Sequence, residues 1–430
     1  MTTTTTQSIV RAMKNICIFE DGEYQNFLPL VYSRPVYDLR GGAYTILERI
    51  ALQYPGTNIK LFCREYLKDL TNENHPYDVN ETNFDDGDCL FINGRLLTSK
   101  PIPISGKKEV GIKDDSIVYA RLNKENCLSI TPEKFLDKDF LSTLKEKFEV
   151  KIVDTELIRY PWDLISNNQE QIATDFTSYI SSKERLLQSK AYNGVHLING
   201  SQILTGKNAV IKPGCVLDAE NGPIYIGNNV CISPNSVIEG PVYIDDNVII
   251  KAVSRIRAGA NIGKACKVGG EISNSIIQDY SNKQHDGFLG DSYIGSWINL
   301  GANTVNSNLT NTYSTVKVQM IDKIIDTGQT FFGMIMGDHT KTAINTRFTT
   351  GGNIGFACNI LFTSTPPKFI PSFSWCSDNN TMTYDVKREL QVAKRVMERR
   401  NKIMTQNEEE VFKTIFDLSE KERELHYRKA

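Results

Sequence analysis

The residue whose type and position best suit proton transfer in this sequence is His285. It is one of only five histidines and lies in a polar segment, residues 278–288. An imidazole is the usual proton acceptor in catalysis because its unperturbed pKa is near neutrality. An amine that attacks a thioester must lose a proton to such a group. We therefore expect His285 to be a general base; a loop histidine at a subunit contact is the alternative.

Three arginines in the N-terminal part of the chain could bind phosphate. Arg34, Arg40 and Arg95 lie on loops that follow or connect predicted strands. A guanidinium group in such a place can hold a phosphate through two parallel hydrogen bonds. Structural ion pairs with Asp38 or other neighbours are the alternative interpretation of these residues.

The elements that must position the arginines follow an α/β pattern. Residues 16–19 and 89–92 are short apolar runs bounded by Asp and Gly, which is typical of buried strands in a parallel sheet. Residues 43–53 have apolar side chains at helical spacing, and the polar stretch after Tyr160 predicts another helix. The predicted organisation is a disordered leader at 1–15, an α/β domain at 16–160 and a linker helix within 161–194.

The second half of the chain repeats with a period of six residues. Such a hexapeptide repeat predicts a left-handed parallel β-helix, in which branched aliphatic residues fill the axis and small residues fit the corners. We predict this β-helix over residues 195–365. Eight consecutive aliphatic residues keep the period: Ile226, Ile232, Ile238, Ile244, Ile250, Ile256, Ile262 and Val268. Four positions after the first seven stand Val230, Ser236, Val242, Val248, Ser254, Ala260 and Cys266.

The repeat is interrupted twice, at residues 269–288 and 305–329. Insertions in a solenoid usually leave it as loops and often carry functional groups. We therefore expect two extruded loops, with His285 on the first. Residues 366–430 form a predicted C-terminal extension with a basic helix at 384–401, which either caps the β-helix or binds a phosphate or a neighbouring subunit.

Composition excludes several classes of protein. Lys and Arg total 49 against 51 for Asp and Glu, so no global charge favours nucleic acid. No apolar run approaches the roughly 18 residues that a membrane span requires. The nine cysteines include no C-x-x-C pair, which disfavours a disulfide framework or a zinc ribbon. We expect a cytoplasmic protein with small-molecule substrates, without a membrane span or a nucleic-acid partner.

The segment that begins at His285 resembles the acetyltransferase half of GlmU-type enzymes. The motif is His285-x-x-Phe288-Leu289-Gly290-Asp291, then Ile294-Gly295-x-x-x-Asn299-x-Gly301-Ala302-x-Thr304, and its spacing fits without a gap through Asn308. GlmU-type enzymes acetylate glucosamine-1-phosphate and transfer a uridyl group to N-acetylglucosamine-1-phosphate. The resemblance implies that His285 is the base, that Asn299 and Arg257 bind the sugar phosphate, and that Asn308 lies near the acetyl donor.

Two positions depart from that family pattern. A family lysine for the sugar phosphate aligns on Ser273, and a family tyrosine of the active site aligns on Phe288, which keeps the ring without the hydroxyl. Lys317 or Lys323, on the second interruption, could supply the missing charge. Phe288 stays among the expected residues of the acyl site.

The N-terminal half resembles a divergent branch of GlmU-like proteins with a nucleotidyltransferase-like (Rossmann-like) domain. The glycine-rich Gly-x-Gly-Thr-Arg loop of ordinary members is absent. The resemblance lies in the stretches Phe19–Tyr24, Leu28–Gly42, Phe91–Leu96 and Tyr160–Leu164, and it continues through Pro367–Trp375. It implies that Arg34, Arg40 and Arg95 contact the nucleotide phosphates.

The metal site implied by this resemblance is altered. Nucleotidyl transfer needs Mg²⁺ with hard oxygen ligands, and an Asp usually ends the central strand where this chain has Asn93. Either Asp21 or Asp163 replaces that ligand, or this half has lost its activity.

The resemblance as a whole implies a bifunctional enzyme of UDP-N-acetylglucosamine synthesis. It would use acetyl-CoA as acyl donor, a sugar-1-phosphate and UTP as substrates, and Mg²⁺, and would assemble as a homotrimer. Two alternatives stay open. The β-helix of a nucleotidyltransferase could be non-catalytic, or the whole chain could be a scaffold in which both sites have decayed.

Overall fold

The computed structural model describes residues 15–84, 87–98, 100–177 and 190–427. The predicted leader, apart from Asn15, lies outside these residues, as do residues 178–189 of the predicted linker helix, whose last residues include the strand Lys190–Ala191 instead. The chain divides into two compact units, described here in turn. The first comprises residues 1–25, 35–38 and 46–158, and the second comprises 26–34, 39–45 and 159–430. Two short N-terminal segments therefore belong to the unit that contains the repeat.

The first unit is built on one mixed, Rossmann-like sheet, which has seven strands among the described residues. Its first strand in the chain, Asn15–Phe19, pairs in parallel with a strand on each side, and an antiparallel hairpin extends one edge. The residues that follow the three central strands therefore meet at one edge of the sheet. The strand order is Asp78–Val79, Asn58–Phe62, Asn15–Phe19, Cys89–Asn93, Ser116–Leu122, Glu109–Lys113 and Glu149–Ile152.

Aromatic side chains fill the core on one face of this sheet. Phe19 stacks on Phe135 with ring centroids 3.8 Å apart, and Phe62 and Phe91 pack against the same ring. The helices of this unit are Ile46–Gln53, Lys68–Asn74, Lys124–Cys127, Pro132–Leu136 and Phe140–Lys147, and short 3₁₀ turns span Gly22–Phe27, Val36–Asp38 and Glu65–Leu67. The predicted helix at 43–53 starts only at Ile46, because Tyr44–Thr45 forms a hairpin with Arg40–Gly41.

The second unit is a left-handed parallel β-helix with three faces, as the period of six predicts. Its strands begin at Lys190 and continue to Ser377, beyond both predicted bounds. The first face contains Lys190–Ala191, Val210–Ile211, Cys231–Ile232, Ile249–Ile250, Lys267–Val268 and Asn282–Lys283, and resumes with Lys341–Thr342, Asn359–Leu361 and Ser374–Ser377, which pairs with Thr381–Thr383. The second contains His196–Ile198, Val216–Asp218, Val237–Glu239, Arg255–Ile256, Glu271–Ser273 and Phe288–Gly290, then the pair Val305–Asn306 and Arg347–Phe348. The third contains Ile203–Thr205, Ile224–Ile226, Val242–Ile244, Asn261–Ile262, Ile276–Ile277, Tyr293–Ile294, Met334–Met336, Gly352–Ile354 and Phe369–Ile370.

The axis of the β-helix is apolar, and its register explains the repeat. Cys231 pairs with Ile249, and Ile249 with Lys267, so one coil takes three sides of six residues. All eight aliphatic residues of the periodic column, from Ile226 to Val268, are fully buried. Each such side chain contributes about 1.5–3 kcal/mol by its burial. The predicted axial column is therefore confirmed.

The first interruption is not an extruded loop, and this corrects the sequence-based expectation. Residues 269–288 stay within the β-helix and supply strands to all three faces. Lys267 pairs with Asn282 only 15 residues later, so the coil is shorter than its predecessors. A deletion shifts the six-residue register as effectively as an insertion does, and periodicity alone does not distinguish them.

The second interruption is an insertion, as predicted. Tyr293 pairs with Ile335, 42 residues further along the chain, and the intervening residues include an antiparallel hairpin of Lys317–Gln319 with Ile324–Asp326. Val305–Asn306 still belongs to the second face, so the insertion begins after Asn306.

Four helices pack on the described part of the second unit: Pro161–Asp175, Val386–Glu398, Gln406–Leu418 and Glu420–Tyr427. The predicted basic helix corresponds to Val386–Glu398. It lies on the first face, where Lys341 pairs with Glu389 at 2.5 Å and Arg400 donates to Asn282 at 2.6 Å. No helix among the described residues is both long and apolar enough to cross a membrane.

Candidate functional site

His285 lies at a corner of the β-helix, between the first and second faces. The preceding strand is Asn282–Lys283 and the following one is Phe288–Gly290, so regular structure holds the corner on both sides. His285 is exposed. Gly287 has a φ of +122°, and a Cβ atom there would lie 2.4 Å from the carbonyl oxygen of Thr304, so this corner requires glycine. The imidazole therefore projects from a rigid turn.

A groove of about 580 Å³ lies on the second face beside this corner. Arg255, Glu271, Asp286 and Phe288 are among the residues that line it, and Gly270 and Gly287 form part of its wall. A space of this size suits a small-molecule ligand. The groove and the exposed histidine thus share the turn at residues 285–287.

Two exposed arginines lie at the groove or next to it. Arg255 and Arg257 both pair with Glu271, at 3.0 and 2.9 Å, and about half of each arginine side chain or more is exposed. A guanidinium group that is half exposed keeps donors available for an anionic ligand, and the carboxylates of Glu271 and Asp286 balance the two positive charges. Phe288 pairs with Glu271 in the strand register, so the structure brings Arg257 and Phe288 to the same face.

Asn299 and Asn308 do not lie at the His285 corner. Asn299 is on the first face, where it bridges Asn282 and Lys341 and is exposed. Asn308 lies beyond the second face, and its side-chain amide donates to Asp291 at 2.6 Å. Burial raises the pKa of Asp291, and hydrogen bonds from Asn274 and Asn308 oppose that shift. Within one chain the three residues of the motif therefore occupy three different places on the β-helix.

At the carboxyl edge of the first unit's sheet, Asp21, Asn93 and Arg95 form a closed network. Arg95 is almost fully buried and donates to both carboxylate oxygens of Asp21, to Ser116 and to the carbonyl oxygen of Ile158. The amide of Asn93 donates to Asp21 at 2.7 Å. The structure thus brings three predicted site residues together, but their polar groups bind each other.

A second buried network at this edge was not predicted from the sequence. Glu20 follows the strand Asn15–Phe19 and Arg64 follows the adjacent strand Asn58–Phe62, and the two side chains pair at 2.8 and 3.1 Å. Burial opposes the charge on Arg64, but the Glu20 carboxylate outweighs it and the pKa of the guanidinium lies above its ordinary value. The rings of Tyr24 and Tyr66 flank this guanidinium. The signal available in the sequence was a charged residue soon after each of two apolar runs.

Arg34 and Arg40 belong to the second unit, where carboxylates of the β-helix bind them. Arg34 pairs with Asp338, which also accepts a hydrogen bond from Ser33 at 2.6 Å. Arg40 is buried and pairs with Asp245 at 2.9 Å. These contacts attach the N-terminal segments to the β-helix. Phosphate binding by either arginine stays a prediction.

The two carboxylates predicted to bind Mg²⁺ do not fit that role. Both oxygens of Asp21 accept hydrogen bonds from Arg95, and Asp163 accepts from the backbone amides of Arg159 and Tyr160 as part of a helix cap. Among the described residues, no group of three or more His, Cys, Asp or Glu side chains is arranged to hold a metal ion. The donor set that Mg²⁺ prefers is therefore lacking at the predicted places.

Comparison with known proteins points to sugar nucleotidyl transferases and to GlmU. Residues 16–184 match the family described as sugar nucleotidyl transferase. The bifunctional protein GlmU of Synechococcus elongatus is 27% identical over 48% of this chain and 45% of its own length, and that of Methanococcus aeolicus is 32% identical over 54% and 55%. The bifunctional sugar-1-phosphate nucleotidylyltransferase/acetyltransferase of Sulfurisphaera tokodaii is 27% identical over 61% and 59%. The chain thus spans about half the length of the curated relatives it matches.

Two solved structures are similar to part of the chain. The UDP-N-acetylglucosamine acyltransferase of Arabidopsis has 12% sequence identity, covers 50% of this chain and 78% of its own, and has a TM-score of 0.17. That of Francisella novicida has 14% identity, covers 56% and 87%, and has a TM-score of 0.19. Scores this low carry no argument, and the fold is established by the strand pairings themselves. The chain therefore resembles the GlmU-like bifunctional sugar nucleotidyltransferase/acetyltransferases, and its residues 16–184 match the sugar nucleotidyl transferase family.

Proposed function

We propose that the β-helix transfers an acetyl group from acetyl-CoA to the amine of glucosamine-1-phosphate, with His285 as general base. One observation carries this proposal: an exposed histidine projects from a rigid corner beside a groove that Arg255 lines and whose wall residue Glu271 also pairs with the half-exposed Arg257. The arginines suit the phosphate of the acceptor, and the imidazole suits its amine. The similarity to GlmU proteins favours the same reaction.

In the proposed reaction each group has one task. Arg257, together with Arg255, binds the sugar phosphate, and the Phe288 ring lines the groove beside it. The amine nitrogen attacks the thioester carbonyl, and a C–N bond forms as the C–S bond breaks. The imidazole of His285 accepts the amine proton and returns it to the departing thiolate of coenzyme A. Such a base contributes about 10²- to 10⁴-fold to the rate.

Asn299 and Asn308 complete the site when three copies associate. Within one chain they contact Asn282, Lys341 and Asp291, and the proposed site takes them from a neighbouring copy. A homotrimer with sites between neighbours satisfies this requirement. Light scattering checks the oligomer, and a stable monomer at micromolar concentration would contradict it.

For the first unit, the family match favours a second activity, uridyl transfer from UTP to N-acetylglucosamine-1-phosphate with Mg²⁺. The closed networks at the carboxyl edge favour the alternative that this activity is lost. A scaffold without any activity is the remaining possibility, and the exposed His285 beside a groove with an exposed arginine speaks against it.

A two-substrate assay of the purified full chain separates these functions. Glucosamine-1-phosphate with acetyl-CoA tests the β-helix, and release of free thiol reports turnover. N-acetylglucosamine-1-phosphate with UTP and Mg²⁺ tests the first unit, and release of pyrophosphate reports turnover. Acetyl transfer without uridyl transfer would restrict the function to the β-helix, and absence of acetyl transfer would refute the main proposal.

A further inference from the structure

Lys283 is a lysine in the apolar axis of the β-helix. Its strand partner is Val268, one coil earlier, and the same column of the first face contains Ile250 and Ile232 two and three coils earlier. Those three residues are fully buried, and Lys283 itself is only 3% exposed. A charged side chain in such a column destabilises the fold unless the charge is well solvated by the protein. Its presence therefore calls for a reason beyond packing.

The ammonium group of Lys283 joins two turns of the functional corner. It donates to the carbonyl oxygen of His285 at 2.6 Å and to that of Gly269 at 3.4 Å. Gly270, Asp286 and Gly287 line the groove. Gly269 comes directly before Gly270, and His285 comes directly before Asp286. One buried cation thus holds the backbone of the histidine and two stacked pieces of the groove wall.

The surroundings of Lys283 make its charge sensitive to pH. Burial lowers the pKa of its ammonium group to about 8, and the carboxylate of Asp286 opposes that shift. The side chains next to it in the column, Val268 below and Leu300 above, are apolar. On the outside of the same strands lie Lys267 and, from the C-terminal extension, Arg400, which donates to Asn282 at 2.6 Å.

We infer that Lys283 is the positioning residue of the acyl-transfer site: its ammonium group fixes the backbone of His285 and the groove wall in the geometry that the reaction needs. The inference rests on the proposed acetyl transfer. Lys283 itself touches neither the histidine ring nor the groove. Its role is indirect, because a base displaced by about 1 Å can lose about 10²-fold in rate.

The test is Lys283→Met in the full chain. Methionine has a similar length, fits an apolar axis and removes the charge. We expect unchanged or higher stability against urea, because an axial charge is lost. We also expect kcat for acetyl transfer to fall about 10- to 100-fold, with KM for acetyl-CoA within about twofold.

In the wild type, kcat should fall above pH 8 as Lys283 loses its proton, and this alkaline decrease should be missing in Lys283→Met.

The matched control is Val268→Met, which changes the same column one coil earlier without an amine. It should alter stability while kcat and its pH profile stay near the wild type. If Lys283→Met keeps kcat within about twofold at every pH, or if its activity falls only in proportion to its stability, the inference is wrong.

Hydrogen–deuterium exchange gives a readout that does not depend on activity. Residues 284–288 should exchange faster in Lys283→Met than in Val268→Met. Equal exchange in the two variants would overturn the inference even if the wild type acetylates its substrate. Faster exchange in Lys283→Met combined with an inactive wild type would instead locate the failure in the proposed reaction.

Discussion

The guanidinium group of Arg95 makes two parallel hydrogen bonds to the carboxylate of Asp21, with Nε 2.9 Å from Oδ1 and Nη2 2.6 Å from Oδ2. Arg95 is 1% exposed, so this is a buried ion pair. It stands at the sheet edge where a nucleotide-binding protein of this fold class would hold its ligand. The predicted site residues Arg95 and Asp21 are therefore bound to each other at this edge of the sheet.

We expect Arg95→Met to lower the free energy of unfolding by about 3–5 kcal/mol, because it leaves the Asp21 carboxylate partly buried without its cation. The double variant Arg95→Met with Asp21→Asn should recover part of that loss. Urea denaturation at pH 7 measures both. Lys145→Met, at an exposed position of the same unit, should stay within about 0.5 kcal/mol of the wild type. A stable Arg95→Met protein would argue for a ligand-binding arginine instead.

We expect His285→Ala to reduce kcat for acetyl transfer by about 10²- to 10⁴-fold, because it removes the proton acceptor. KM for acetyl-CoA and any uridyl transfer should change little, since no binding contact is lost. Steady-state kinetics on both reactions check this expectation. A residual rate within about threefold of the wild type would eliminate His285 as the base.

Arg34→Ala distinguishes a phosphate ligand from a structural ion pair. Because Arg34 pairs with Asp338 inside the second unit, we expect a loss of about 1–3 kcal/mol in stability and a parallel decline of every activity. Asp338→Asn should behave similarly. Loss of uridyl transfer alone, with acetyl transfer and stability intact, would show that Arg34 binds the nucleotide phosphates.

His339 should make the protein sensitive to mild acid. It lies at a corner with a φ of +60°, its ring stacks on Trp297, and its Nδ1 has no hydrogen-bond partner among the described residues. Burial, followed by the charges of Lys341 and Arg34, holds its pKa well below 6.5. Below pH 6.5 the unfolded chain therefore binds a proton at His339, and the native state does not. The free energy of unfolding falls as the pH drops below 6.5.

The matched variant for this effect is His339→Asn, which tolerates the same backbone conformation. Relative to it, the wild type should lose at most about 1.4 kcal/mol per pH unit below pH 6.5. Urea denaturation at pH 7.5 and pH 5.0 measures the difference. An equal loss of unfolding free energy in the two proteins would show that the folded protein binds a proton at His339 as readily as the unfolded chain does.

The fold was largely predictable because its signals are local. Aliphatic residues recur every six positions from Ile226 to Val268, and this spacing alone predicts where each of them lies in a coil. The apolar runs at 16–19 and 89–92 similarly indicated adjacent parallel strands. The shortened coil after Val268 was misread as a loop, since a lost register does not reveal whether residues were added or removed.

The candidate site was predictable only in part. The motif identified His285, and the structure places it beside the groove, but the charge that supports it comes from Lys283, which an apolar repeat gives no reason to expect. The proposed metal ligands Asp21 and Asp163 have hydrogen-bond partners that the sequence does not reveal, and their role as ligands stays a prediction.

By itself, the sequence determined the two kinds of architecture and the axial column, and it singled out His285 without showing that this residue lies at a corner of the β-helix. Only the tertiary structure decided which charges are paired: Arg34 meets Asp338, more than 300 residues away, and Arg40 meets Asp245. The physical reason is the separation along the chain. Periodic burial depends on residues that are close in sequence, so a local pattern predicts it. An ion pair depends on where the fold brings two distant side chains together, and no local pattern predicts that contact.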